Sequence, residues 1–68
     1  MAKSVIAYYS EQQRKQLGLF EFLAEDGSVI TCTCVRDEGS PPPNYQDVQT
    51  VGIVKKYLRT VELAKGSF

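Results

Sequence analysis

The sequence contains no histidine and no tryptophan, one methionine, and only two cysteines, Cys32 and Cys34. Without histidine, the commonest general base at neutral pH is missing, and a nucleophilic thiol or hydroxyl has no imidazole to activate it. A structural zinc site usually takes four Cys or His ligands, and two thiols fall short of that. No metal and no cofactor are expected. Glycines 18, 27, 39, 52 and 66 are isolated, so no glycine-rich phosphate loop is present. No pair of carboxylates is obviously brought together in an apolar pocket, the setting that raises a catalytic pKa. The sequence therefore predicts no enzymatic activity.

Charge of one sign is also lacking. Eight Lys and Arg balance eight Asp and Glu, so no global field draws the chain to nucleic acid or anionic lipid. No segment approaches the roughly 20 apolar residues that span a bilayer. The stretch MAKSVIAYYSEQQRK does not read as a secretion signal, because its apolar run is short and Tyr8 and Tyr9 interrupt it. A cytoplasmic setting is expected.

What is present fits one small domain over residues 1–68, with 43% hydrophobic residues. A chain of this length buries only about 60% of the surface its unfolded form exposes, so the core is thin and self-association would add needed apolar contact. Residues 4–10, SVIAYYS, suit a strand. Residues 11–16, EQQRKQ, are polar throughout and read as a solvated connection with room for a helical turn. Residues 17–24 and 28–36 read as a hairpin joined by Asp26-Gly27, the dipeptide of a two-residue turn. That turn sets Leu23 opposite Ile30 and Leu19 opposite Cys34. Phe20, Phe22 and Ala24 then share a face with Val29, Thr31, Thr33 and Val35. The other face carries Leu17, Leu19, Glu21 and Leu23 with Ile30, Cys32, Cys34 and Arg36.

Residues 37–43, DEGSPPP, form a stiff Pro-rich loop. Asn44 then offers an N-cap with Asp47 at the capping-box position, Pro43 and Val48 fit a hydrophobic staple, and Lys65-Gly66 offers a C-terminal stop. These signals bracket a helix over about 45–65. Its β-branched residues and Gly52 disfavour helix, and Val51, Ile53, Tyr57, Val61 and Leu63 also alternate as in a strand. The helical wheel nevertheless separates more cleanly, with Val51, Ile53, Val54, Tyr57, Leu58, Val61 and Ala64 on one arc. The predicted fold is α+β, a small β-β-β-α domain with a three-stranded antiparallel sheet and one C-terminal helix packed on one face.

One helix covers one face of such a sheet. With the Phe20/Phe22 face taken, the Leu-rich face stays open, where a solvated sheet surface would normally be polar. A contiguous apolar patch on a small protein marks an interaction site. Leu19, Glu21, Leu23, Ile30, Cys32 and Cys34, with Tyr8 and Tyr9, are therefore candidate protein-interface residues. They are expected to make a homodimer or to hold an unidentified protein partner. Glu21 is expected at an exposed rim or paired with a cation across the interface. A second candidate set is Lys55, Lys56 and Arg59 on the outer helix face, with Arg14 and Lys15, as a nucleic-acid contact.

In size and mixed α+β form the chain resembles the small inhibitors encoded by phages and mobile elements, such as anti-CRISPR proteins, which implies binding to a host complex. The expected three strands and one helix also resemble the integrase-type and plant-transcription-factor βββα DNA-binding domains. Those families present basic strand residues to a groove, where this hairpin offers chiefly Arg36, with Glu21 opposing. An accessory subunit of a larger assembly is the remaining expectation. No motif carries these likenesses, and architecture alone does not imply function.

Overall fold

The computed structural model describes residues 4–63. Its first strand, β1 (Val5–Tyr9), is built from Val, Ile and two Tyr, which suit a pleated surface. The polar segment after it is a helix, α1 (Glu11–Leu17). Ser10-Glu11-Gln12-Gln13 matches a capping box, and Ser10 Oγ accepts the Gln13 N–H at 3.3 Å. Glu11 in the first turn, and Arg14 and Lys15 in the last, complement the helix dipole.

Gly18 ends α1, donating its N–H to the Arg14 carbonyl at 2.8 Å. Its φ of 98° and ψ of −163° lie in a region that is essentially reserved for glycine. A Cβ there would also overlap the Glu62 carbonyl oxygen.

β2 (Leu19–Ala24) and β3 (Val29–Cys32) form the expected hairpin, but in a different register. Ala24 N–H donates to Ser28 O at 2.7 Å, and Gly27 N–H donates to Ala24 O at 3.1 Å. Only Gly27 takes positive φ in the turn, so the loop is three residues, Glu25, Asp26 and Gly27. This is the form in which a tight turn is followed by a left-handed glycine. The extra loop residue sets Leu23 opposite Val29 and Phe22 opposite Ile30. Period-two alternation turns that single step into an exchange of faces between the two strands. Leu19, Glu21 and Leu23 share a face with Val29 and Thr31, while Ile30 and Cys32 join Phe20, Phe22 and Ala24 inside.

β4 (Cys34–Asp37) follows β3 after the single residue Thr33, and the last element is β5 (Gln49–Glu62). The sheet order is β3-β2-β5-β1-β4, with every pairing antiparallel. Because β3 and β4 are one chain segment broken only at Thr33, the two ends of the strand order are covalently joined. The sheet therefore curls into a small barrel-like ring. The β-β-β-α expectation is thus corrected: the described residues form five antiparallel strands and one helix, with the helix between β1 and β2 and a strand over most of 45–65.

The helix-like spacing in β5 has a structural cause. Consecutive β2 residues 19–24 face β5 residues 62, 60, 59, 57, 56 and 54. Positions 61, 58 and 55 are extra, and along β1 the same is true of position 51. Each is a β-bulge, which gives the strand a residue without a partner and bends it. Three regularly placed bulges turn a period of two into a period of three, close to a helical repeat. The six β-branched residues between Gln49 and Glu62 agree with a strand. Asp47 does act at a helix N-terminus, but at that of α1. Lys65 and Gly66, the expected helix stop, lie outside the described residues.

Ala7, Cys32 and Val54 are the buried centre of the ring, with Val5, Phe22, Ile30 and Val35 packed around them. The largest fully buried side chains are Thr33, Cys32 and Ser10. The core is thus filled largely by small residues; Tyr8 is buried with them, whereas Phe22 is only partly covered.

Candidate functional site

The bulges sort the second half of β5 into two columns. Val54, Tyr57 and Thr60 face Ala24, Phe22 and Phe20 on the inner side. Lys56, Arg59 and Glu62 face Leu23, Glu21 and Leu19 on the outer side. The inner column opens along its length. Val54 is buried, whereas Tyr57 is 51% exposed although its ring meets Phe22 edge-on at 5.4 Å. The Tyr57 hydroxyl lies 2.7 Å from Thr60 Oγ1. In the outer column Arg59 Nε donates to Glu21 Oε1 at 2.8 Å. Glu21 thus finds its cation within the same chain.

Two of the bulge residues in this half, Leu58 and Val61, are exposed, as are Leu63 after the strand and Leu17 at the end of α1. The close approach of Gly18 to the Glu62 carbonyl and the Leu63 Cα brings Leu17 beside the end of β5. Leu17 therefore lies beside Leu63 at one end of the molecule, and Tyr57, Leu58 and Val61 are exposed along the adjoining half of β5. Val29, Val51 and Ile53 are exposed at the other end, beside an open depression between the β2–β3 turn and the first half of β5. Of the eight large hydrophobic residues exposed among the described residues, six lie on β5 or directly after it.

A polar cluster ties the ring to α1. Asp47 Oδ1 accepts from Ser10 Oγ at 2.6 Å, and Oδ2 accepts from the Glu11 and Gln12 N–H groups at 2.7 and 3.3 Å. Thr33 Oγ1 accepts the Ser10 N–H at 3.1 Å and lies 3.0 Å from Gln13 Oε1 and 3.2 Å from the Tyr8 carbonyl. The hydrogen bond from the Ser10 hydroxyl, then those from the two backbone N–H groups, hold the Asp47 carboxyl below its ordinary value of 3.8. The Arg14 guanidinium and the Tyr9 hydroxyl lower Glu11, and the Ser28 hydroxyl lowers Asp26. A carboxylate lowered on folding stabilises the fold above its unfolded pKa, and that stability is lost as pH falls through the folded value. Thermal melting followed by circular dichroism should therefore show a falling Tm below about pH 4. Asp47→Asn should lower Tm at neutral pH and reduce the acid-induced fall, leaving the Glu11 and Asp26 share. An acid-induced fall as large as in wild type would show that Asp47 is not the latch.

The expected interface residues are divided among different places. Leu19, Glu21 and Leu23 stay together, half-buried on the outer face of β2. Ile30 and Cys32 point inward, with Cys32 fully buried. Cys34 faces Tyr8, which is buried, and Tyr9 donates its hydroxyl to Glu11 at 2.6 Å. Both thiols are free. Burial, and then the neighbouring Cys34, pushes the Cys32 thiol up to about 11, so it stays protonated and packs as a small apolar group.

The expected basic set is also dispersed. Lys55, Lys56 and Arg59 lie on β5, so there is no basic helix face. Arg14 pairs with Glu11 and Glu62 from α1, and Lys15 is exposed on the same helix. With the strand β5 in place of the expected helix, the likeness to βββα DNA-binding domains has no structural basis. The exposed residues of β5 escape a sequence reading because the helical wheel turns them inward; the strand alternation of Val51, Ile53, Tyr57, Val61 and Leu63 is the signal that marks them. No helix among the described residues is long and apolar enough to cross a membrane. Compared with known proteins, the chain matches no family model, no curated protein and no solved structure.

Proposed function

We propose that this protein is a non-enzymatic, protein-binding module whose contact surface is the exposed apolar end built by Tyr57, Leu58, Val61 and Leu63 of the β5 segment and Leu17 of α1. The observation that carries this reading is the concentration of exposed large hydrophobics on one strand segment, since such patches on small proteins mark interaction sites. Tyrosine at the centre of the patch is a frequent interface anchor. A protein partner is favoured over nucleic acid because the chain is neutral overall, and Arg14 and Arg59 already hold carboxylates of their own. Such a module acts by occupying a site on a larger complex, as an inhibitor or an accessory subunit. Its two free thiols fit a reducing, cytoplasmic setting.

The test compares wild type with Leu58→Glu/Val61→Glu. Both positions are exposed, so the variant should melt within about 1 kcal/mol of wild type. In affinity capture from the native host, a protein retained by wild type should be lost from the variant. If both retain the same proteins, the contact surface lies elsewhere.

A further inference from the structure

Among the described residues, one edge of β5 has no neighbour over much of its length. β2 pairs with β5 from Val54 to Glu62, whereas β1 pairs with the opposite edge only from Gln49 to Val54. Among the described residues, no strand lies on that second edge from Lys55 to Glu62. Its backbone N–H and C=O groups form a template for another extended chain.

We propose that a second copy of this chain occupies the edge. β5 runs antiparallel to its counterpart about a two-fold axis at Arg59, giving a continuous β2-β5-β5-β2 sheet. This deepens the binding reading above and rests on it, since pairing joins the two copies' exposed β5 rows into one surface.

Two observations select this occupant and register. The outer column runs Lys56, Arg59, Glu62, basic at one end and acidic at the other. Antiparallel pairing about residue 59 sets Lys56 opposite Glu62 of the second copy, twice. Arg59 meets its own image, but each guanidinium already holds the Glu21 carboxylate at 2.8 Å, so the centre contains two cations and two anions. A two-fold interface requires this kind of self-complementary patch. The same register sets Tyr57 opposite Val61, an aromatic against a β-branched residue, which is a favoured cross-strand pair. Both are exposed in the single copy.

Sedimentation equilibrium across the micromolar range should show a reversible dimer that weakens with added salt. Lys56→Glu and Glu62→Lys should each weaken it by about tenfold or more, and the double swap should restore it. Glu62→Lys also loses the contact with Arg14. The swap does not return that contact, so recovery reports the pair between copies. Arg59→Cys should give a covalent dimer on mild oxidation, and Lys15→Cys should not. A wild type that is monomeric throughout, or a dimer indifferent to the charge swap, overturns the proposal. A monomer that still captures a host protein through Leu58 and Val61 overturns the dimer and leaves the binding surface standing. A dimer whose Leu58→Glu/Val61→Glu variant captures the same host proteins as wild type does the reverse.

Discussion

Gly18→Ala is expected to unfold most of the population at ambient temperature. Two independent costs meet at this position. Its φ of 98° with ψ of −163° is a conformation that side-chain-bearing residues avoid, at a strain of about 1–3 kcal/mol. The added methyl also meets the Glu62 backbone carbonyl, a group that cannot swing aside as a side chain can. Relief requires separating the start of β2 from the end of β5, where Leu19 pairs with Glu62. A domain of this size holds roughly 3–10 kcal/mol in total, so the combined loss consumes much of it. Circular dichroism melting checks this directly, and a Tm within a few degrees of wild type would refute the account of Gly18.

Val54→Asp is expected to abolish folding, while Ile53→Asp is expected to leave the fold intact. Among the described residues, Val54 is the one β5 position paired on both edges, with Val5 and with Ala24, and it is buried in the centre of the ring. A carboxylate there has no partner, and an unpaired buried charge costs several kcal/mol or more. Ile53 points the other way and is 43% exposed, so its replacement should cost about 1 kcal/mol or less. The pair separates the two readings of this segment, because on a helical wheel both residues share the apolar arc and both substitutions would fail. Folding of Val54→Asp, or loss of folding in Ile53→Asp, would contradict the strand register.

Much of the architecture was legible locally. The β-branched and aromatic run at 4–10 marks β1, and Asp26-Gly27 marks a hairpin with a left-handed glycine at Gly27. The number of residues in the turn was not legible. Asp26-Gly27 serves a two-residue or a three-residue loop equally well, yet the choice decides whether Ile30 and Cys32 face the core or the solvent. α1 was within reach, since Ser10 and Gln13 stand at capping-box spacing, but six polar residues and a single leucine carry no apolar periodicity to announce a helix. β5 misleads for a different reason. Its bulges give an apolar spacing close to the helical one, and Asn44 and Asp47 supply a plausible cap. Asp47 does bind helix N–H groups, but those of a helix 36 residues earlier in the chain. No local rule identifies a partner at that separation. The candidate surface inherits the error, because Tyr57, Leu58 and Val61, assigned to a buried helix face, are left in water.

The placement of β5 has a consequence for how the molecule comes into being. It is the last described strand along the chain and the middle one in space, and β1 and β2 never pair with each other. During synthesis, the hairpin and the β1–β4 ladder can emerge from the ribosome while the strand that joins them is still inside the tunnel. Such high contact order makes folding slow and keeps sticky intermediates alive. The nascent protein must therefore wait, half assembled, for this strand.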